Sequence, residues 1–266
     1  MQGLIANLRI FLSGAVLSYV ALFRWFEPIR YVASKIILPL NQILFFTLLG
    51  TFATGPQTAS FYAIGNALQV AAISGIYGVT MSVGGERWEG TLIYLFGSPA
   101  NRFFLFFGRA FVHIVDGILG VVMGLAWAAL LLGVDLSQAD PLAMALVILI
   151  TTASTCGLGL LMGAVSLVAL DTFFVNNMVY FLLLVFSGAN VPLQNFPEAV
   201  RTFSYMLPLT RGILATRQIV AGASLAEVAP SLLGEAFIGA LYLALGYSLF
   251  KSFEYFAKRR GRLEAM

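Results

Sequence analysis

The chain has 266 residues, of which 60% are hydrophobic and 10% charged, and its mean hydropathy is +0.92. Ordinary soluble domains are roughly 45–50% apolar, and the apolar runs here reach the length of about 20 residues that crosses a bilayer. The composition therefore predicts an all-α membrane protein without a sizeable soluble domain. The formal net charge of +3 is too small to indicate a nucleic-acid partner.

Residues 1–35 are amphipathic, because charged residues interrupt the apolar ones too often for a helix at hydrocarbon depth. The charged residues are Arg9, Arg24, Glu27, Arg30 and Lys35, and the aromatic residues Phe23, Trp25, Phe26 and Tyr31 suit the headgroup layer. This pattern predicts a helix or elbow lying in the membrane interface. The alternative is a first transmembrane helix across 11–23, which is short for a span.

The remaining apolar runs predict six transmembrane helices, at 36–54, 60–83, 98–132, 142–169, 173–189 and 230–250. Pro39 fits the first turn of the first span, and Ser98-Pro99 reads as the N-cap and first-turn proline of the third. Residues 36–250 are thus predicted to form the transmembrane domain, and residues 251–266 a basic tail.

The segment 190–229 is too polar to span as one helix. Its prolines and apolar periodicity predict two short helices, at 197–207 and 209–221. Ser224 and Glu227 have the spacing of a capping box for the last span.

The distribution of Lys and Arg predicts the orientation of the chain. Twelve of the 15 basic residues lie on the amino-terminal segment (four), the 84–109 loop (three) and the tail (five). The other three, Arg201, Arg211 and Arg217, lie before the last span. With six spans both termini share a side, and the positive-inside rule places that side in the cytosol.

No cluster of residues predicts catalysis. The sequence contains no Gly-Lys pair, so it has no phosphate-binding loop of the Walker A type. One histidine, His113, and one cysteine, Cys156, do not predict a zinc site or a protease nucleophile with its base. The chain is therefore predicted not to be an enzyme, to hold no metal and to need no cofactor of its own.

The strongest motif is the loop 84–109, GGERWEGTLIYLFGSPANRFFLFFGR, which concentrates charge and then turns apolar. Its ER-x-x-GTL run resembles the cytosolic loop of ABC-2 type exporter permeases, where a short helix docks on a separate ATPase. The resemblance assigns ATPase coupling to eight residues: Glu86, Arg87, Trp88, Glu89, Gly90, Thr91, Leu92 and Tyr94. An apolar turn exposed to water calls for a partner surface; the alternative is an ordinary solvated loop between two spans.

The same resemblance implies a set of partners and a location. They are a cytosolic nucleotide-binding subunit that carries Mg-ATP, a second permease subunit, and the lipid of the plasma membrane. The implied function is ATP-driven export of a small amphipathic cargo, such as a drug, an antibiotic or a lipid. Export of a lipid-linked glycan by the same fold is an alternative, and a non-transporting scaffold or channel is an alternative of another class.

The second span carries a polar stripe formed by Tyr62, Asn66, Gln69, Tyr77 and Thr80, which fall on one helical face. Such a stripe faces other helices or a wet cavity, because polar side chains in lipid are unfavourable. Interhelical hydrogen bonding and one wall of a substrate path are both consistent with it. In the resembled family the second and fifth spans line the path. Five aromatic residues would supply an apolar wall for an amphipathic cargo, and a position facing lipid or in the core fits each of them equally: Phe45, Phe46, Tyr180, Phe181 and Phe186.

Two acids lie inside predicted spans. Asp116 and Glu235 each need a partner, water or a proton, because an acid at mid-bilayer costs roughly 2.5–3.5 kcal/mol. His113, one turn before Asp116, is the predicted companion of that carboxylate. The pairs Gly120/Gly124 and Gly159/Gly163 have the spacing that allows close helix packing.

The segment 186–220 resembles a second feature of the ABC-2 family, a set of broken, partly re-entrant helices on the outer side after the fifth span. The residues that carry this resemblance are Pro192, Pro197, Pro208, Leu209 and Thr210. Broken backbone at membrane depth survives only when it is buried in protein or lines water. A gate above the substrate path would meet that condition.

Overall fold

The computed structural model describes residues 2–25, 27–98, 100–169 and 171–260, which form helices and no strand. Five helical stretches are long and apolar enough to cross a membrane: Ile29–Thr54, Pro56–Gly85, Arg102–Leu132, Pro141–Ser166 and Leu225–Phe256. The predicted fifth span corresponds to the shorter apolar helix Thr172–Phe186, whose 15 residues extend about 22 Å. The chain is an all-α membrane protein, as predicted.

The α-helices in chain order are α1 (Gln2–Trp25), α2 (Pro28–Thr54), α3 (Ala59–Ala72), α4 (Val79–Trp88), α5 (Leu92–Gly97), α6 (Arg102–Leu132), α7 (Pro141–Ser166), α8 (Thr172–Phe186), α9 (Glu198–Met206), α10 (Thr210–Val220) and α11 (Leu225–Arg260). A π-helical segment, Ile73–Gly78, joins α3 to α4 without a break. Single 3-10 turns, Pro56–Thr58 and Leu193–Asn195, precede α3 and α9.

Helix α1 packs against the first half of α6, where Gly14 and Gly108 let the two backbones approach closely. Apolar side chains on another face, including Ile5, Leu12 and Val16, are exposed. The placement of this helix in the membrane interface stays a prediction, since the structure contains no membrane.

Helix α2 begins eight residues earlier than the sequence predicts. Pro28 occupies its first turn, the position where a missing N–H costs little. Pro39, predicted in that first turn, lies instead in the helix interior. Lys35, predicted in the interfacial segment, is therefore part of the helix that forms the first span.

The second span lies at the centre of the bundle. In its most apolar stretch of 18 residues, 72% of the residues are buried inside the protein, whereas the corresponding share in α2 is 22%. Ala63, Ala67 and Ala71 of α3 are fully buried in the main hydrophobic cluster, together with residues of α6, α7 and α10. Short side chains bring neighbouring helices close enough for dispersion contacts along their whole length.

The two glycine pairs pack as predicted, and both contact the second span. A Cβ added to Gly120 or Gly124 would meet Val70 or Ala67 of α3. One added to Gly159 would overlap the backbone of Gly75, and one added to Gly163 would meet Val83 of α4.

Side-chain caps define several helix ends. The prediction that the third span begins at Ser98 was wrong, because α6 begins at Arg102 with Asn101 as its N-cap; Pro99 lies outside the described residues. Asp140 caps α7, and Asp171 caps α8. The predicted capping box of α11 is confirmed, since the Ser224 N–H donates to the Glu227 carboxylate at 2.6 Å.

Helices α9 and α10 confirm the prediction of two short helices after the fifth span. They form a hairpin whose tip, Leu207–Leu209, is buried. Helix α10 packs against α11, α7 and α3, so the tip reaches into the bundle.

Candidate functional site

The loop after α4 folds into a short helix on an anchored base. Gly90 adopts a φ of 68°, a conformation that suits glycine, and turns the chain from α4 into α5. Leu92 is 6% exposed and packs in a cluster with Val83, Leu105, Phe106, Leu167 and Phe250. Tyr94, two residues later, is 77% exposed. Among the described side chains of α5, Leu92 is therefore fixed in the bundle and the Tyr94 ring is exposed.

Two arginines hold the ends of this segment. The Arg87 guanidinium donates to the carbonyl of Ala169, between α7 and α8, at 2.9 Å. Arg102, at the start of α6, donates to the carbonyl oxygens of Ser98 and Ala100 at 2.8 and 2.6 Å. Arg102 also forms a buried ion pair with Glu254 of α11 at 3.2 Å. Sequence reasoning missed Arg102 and Glu254, because their spacing of 152 residues carries no local signal.

The other residues assigned to coupling surround α5. Glu89 and Gly90 are exposed, and Thr91 is half-buried. The side chains of Glu86 and Trp88 lie outside the described part of the structure. The assignment of all eight residues to a partner contact stays a prediction.

The residues of the predicted polar stripe contact three different parts of the bundle: α2, α7 and the segment that follows α8. Asn66 donates to Asn190 at 2.8 Å, and Gln69 accepts from Ser187 at 3.4 Å, beyond the end of α8. Thr80 donates to the carbonyl of Gly159 in α7. Tyr62 packs on Gly50 of α2. These contacts match the interpretation of the stripe as interhelical hydrogen bonding. The π-helical segment lies between Gln69 and Thr80 and changes the helical phase, so the two residues do not point to the same neighbour.

The part of the stripe nearest α4, around Tyr77, is less enclosed than the rest. The Tyr77 hydroxyl donates to Asn177 of α8 at 2.6 Å, and its ring lies 5.8 Å from that of Tyr180. The Tyr180 hydroxyl donates to Gln42 of α2 at 3.2 Å. Tyr77 and Tyr180 are half-buried and Asn177 is exposed. Two rings and two amides thus form a partly open polar cluster, the Tyr77–Tyr180 cluster, between the π-helical segment, α2 and α8.

The structure does not bring all the predicted path residues together. Phe186 packs on Phe196 and Phe203 of the hairpin region, with ring centroids 5.8 and 5.7 Å away. Phe181 is exposed beside Tyr180. Phe45 is exposed and lies edge-to-face with Phe46, one helical turn beyond Gln42. Sequence reasoning missed Gln42 and Asn177, which are single polar residues in apolar runs.

Asp116 has a set of partners that differs from the predicted one. Lys35 of α2 lies 2.6 Å from its carboxylate, the Tyr31 hydroxyl donates at 2.6 Å, and Ser74 of the π-helical segment donates to the same group. His113, the predicted companion, packs against Gly78, and the groups that contact the carboxylate directly are Lys35, Tyr31 and Ser74. A lysine from another helix neutralises the acid more completely than an imidazole one turn away. The signal for it was Lys35 itself, a charge in an apolar run.

Glu235, the second buried acid, contacts the α9–α10 hairpin. It is 0% exposed and accepts hydrogen bonds from the backbone N–H groups of Leu209, Arg211 and Gly212. Thr210 donates to the carbonyl of Ser204 at 2.7 Å. Pro192 precedes the 3-10 turn, Pro197 precedes α9, and Pro208 lies in the hairpin turn.

Arg217 ties the same hairpin to the rest of the bundle. Its guanidinium donates to the carbonyl oxygens of Gly188 and Phe61 at 2.9 and 2.8 Å, and it stacks 3.6 Å from the centre of the Phe61 ring. Arginine suits such a site because its planar fork donates in several directions and stacks on an aromatic face.

Acidic, histidine and cysteine side chains do not gather into a group of three anywhere in the described ranges. Three other features stand out in these ranges: the short helix α5, the Tyr77–Tyr180 cluster and the hairpin held by Glu235.

Comparison with known proteins identifies the family. The model of the ABC-2 family transporter protein matches residues 46–248, about three quarters of the chain. The match covers α3 to α10, the last third of α2 and two thirds of α11, so it includes all three features apart from Gln42. The chain belongs to the ABC-2 transporter family and is a multi-pass membrane permease. A search of curated proteins gave no match.

Proposed function

We propose that the chain is the transmembrane subunit of an ATP-driven exporter that works with a cytosolic nucleotide-binding subunit. The observation that carries the proposal is the geometry of α5. The six-residue helix is anchored by Leu92 in the bundle and by Arg102 just after its end, and it leaves Tyr94 exposed. Exposed aromatic residues on rigid supports are typical anchors of protein–protein contacts, and membership of the ABC-2 family implies an ATPase partner in general.

Movement of the ATPase subunit would be transmitted to the helix bundle through the contacts of Leu92 and Arg102 that hold α5 in place. The Leu92 cluster joins α4, α6, α7 and α11, and Arg102 links the segment to Glu254. A push on α5 would therefore act on four helices rather than on a loose loop. Mg-ATP would bind the partner, because this chain has no Gly-Lys pair from which to build a phosphate-binding loop.

We propose a small amphipathic or lipophilic cargo, such as a drug, an antibiotic or a lipid, moved out of the cytosol or the inner leaflet. The Tyr77–Tyr180 cluster supports this class, because it offers aromatic rings and amide groups side by side on a partly open face. A pair of permease subunits would enclose that face. In the plasma membrane, both termini and α5 would lie in the cytosol.

Co-expression with the candidate ATPase tests the proposal. The purified complex should contain the nucleotide-binding subunit, and a Gly90→Val change should separate ATP hydrolysis from export, because it strains the turn that orients α5. Gly85→Ala is the matched control, since nothing lies within 4 Å of a Cβ there. Labelling of Trp88 from outside the cell, or solute movement without a nucleotide-hydrolysing partner, would overturn the proposal.

A further inference from the structure

The tip of the α9–α10 hairpin is held by a residue from another helix. Leu207 and Leu209 are 7% and 0% exposed, so the turn between the two helices lies inside the protein. Glu235, which contacts the tip, lies ten residues along α11, about 15 Å from the start of that helix. The hairpin thus places non-helical backbone deep in the bundle, where its polar groups need partners from the protein.

Glu235 provides those partners. Its Oε1 atom accepts from the Leu209 N–H at 2.6 Å, and Oε2 accepts from the N–H groups of Arg211 and Gly212 at 3.2 and 3.3 Å. The first N–H groups of a helix have no partner within it, and α10 receives no side-chain hydrogen bond from its own N-cap residue. A carboxylate of α11 therefore caps α10. Both of its carboxyl oxygens accept from backbone N–H groups at the start of α10.

The backbone at this contact is strained. Leu209 has a φ of 83°, and it is the non-glycine residue with a positive φ in the described part of the chain. Such a conformation persists only where its surroundings enforce it. The shortest of the three hydrogen bonds goes to the N–H of this residue.

The neighbouring arginine stabilises the hairpin itself. The guanidinium of Arg211 donates to the carbonyl of Tyr205 in α9 and lies 5.3 Å from the centre of its ring. Its side chain passes over Gly234, where a Cβ would contact it. Arg211 thus ties α9 to α10, while Glu235 ties the tip to α11.

We infer that Glu235 is the positioning residue of the hairpin, and that through it the hairpin and α11 move as one body when the permease changes state. The functional half of this inference rests on the export function proposed above; the contact does not. Helix α11 also carries Glu254, the ion-pair partner of Arg102, whose guanidinium holds the chain just after α5. One helix would therefore connect the ATPase side of the protein to the hairpin.

Hydrogen exchange on the full permease–ATPase complex in lipid nanodiscs tests the contact. Glu235→Gln replaces one accepting oxygen by a donor that faces backbone N–H groups. Amides in residues 207–213 should exchange at least tenfold faster, while those of α6 should not change. Glu227→Gln is the matched control, because Glu227 is an exposed acid that caps α11 itself. If Glu235→Gln does not fold, Glu235→Asp makes the same comparison.

The distribution of the faster exchange separates positioning from general stability. Loss of a positioning contact should act on the tip, residues 207–213. A uniform rise across α7, α10 and α11 would mean that Glu235 only packs the core, and the inference would be wrong.

The ATPase rate of the complex tests the link to function. Glu235→Gln should change that rate at least threefold, whereas the control Glu227→Gln should leave it unchanged. Faster exchange at the tip with an unchanged ATPase rate would overturn the positioning role. A permease that binds no ATPase would contradict the proposed function. The exchange data would still show whether Glu235 holds the hairpin.

Discussion

The ammonium group of Lys35 lies 2.6 Å from the carboxylate of Asp116, between α2 and the middle of α6. Both side chains are largely removed from solvent, with 19% and 7% of their surface exposed. Tyr31 and Ser74 complete the shell of the carboxylate. The charge pair thus joins the first, second and third spans at one point.

Removing one member of this pair should be far more harmful than removing both. Lys35→Met or Asp116→Asn leaves an unpaired charge or broken network, which should cost about 3–5 kcal/mol. The double change Lys35→Met/Asp116→Leu should recover most of that loss. Thermal unfolding of the purified protein measures the difference. Glu27→Gln serves as control, because the exposed Glu27–Arg30 pair at 3.7 Å should contribute no more than about 1 kcal/mol. Equal losses in single and double variants would contradict the assignment.

Gly159→Ala should destabilise the bundle by about 1–3 kcal/mol, because the new methyl group would overlap the carbonyl of Gly75. The matched change is Gly97→Ala, where nothing lies within 4 Å of the added atom. That variant should unfold within about 0.5 kcal/mol of the wild type. Similar melting temperatures for both variants would show that α7 and the π-helical segment are not in close contact.

Leu92 and Tyr94 should separate stability from coupling, although they lie two residues apart. Leu92→Ala removes a buried side chain and should cost about 2–5 kcal/mol of stability. Tyr94→Ala should leave the melting temperature unchanged and weaken binding of the ATPase subunit at least tenfold. Unfolding and pull-down assays on the same preparations give both values. Loss of stability in Tyr94→Ala, with binding intact, would argue against a docking role.

The Tyr77–Tyr180 cluster should affect the handling of cargo rather than folding. Tyr77→Phe deletes one hydrogen bond, to Asn177, and should lower stability by about 1 kcal/mol or less. We expect it to raise the KM of export severalfold without a matching change in the rate of ATP hydrolysis. Thr80→Val, which removes a contact with α7, should lower stability and leave KM unaltered. An unaltered KM in Tyr77→Phe, together with a raised KM in Thr80→Val, would show that the cluster is not part of the substrate path.

The features that the sequence predicts well are those with a local signature. The spans follow from apolar runs, the α11 cap follows from Ser224 and Glu227, and the two short helices follow from prolines. The resemblance of the 84–109 loop to that of ABC-2 permeases implied a short helix there, and α5 occupies that place.

The features that the sequence did not predict depend on distant partners. Lys35 and Asp116 are 81 residues apart, so no spacing rule connects them. The start of α2 was misplaced because Arg30 and Lys35 were read as interfacial, whereas Lys35 is neutralised inside the bundle. The division of the polar stripe needed knowledge of the π-helical segment, and Ile73–Gly78 has no residue that marks it.

That segment has a consequence for motion along the second span. A π turn holds one more residue than an α turn, so the residues before and after it differ in rotational phase by about 100° from a regular helix. Thr80 therefore faces α7, while Gln69 and Tyr77 are directed to the α8 side. Passage of the extra residue along the helix would rotate the α4 end of the span relative to the α3 end without unwinding either. The two halves of the second span, α3 and α4, can thus rotate relative to each other while each stays helical.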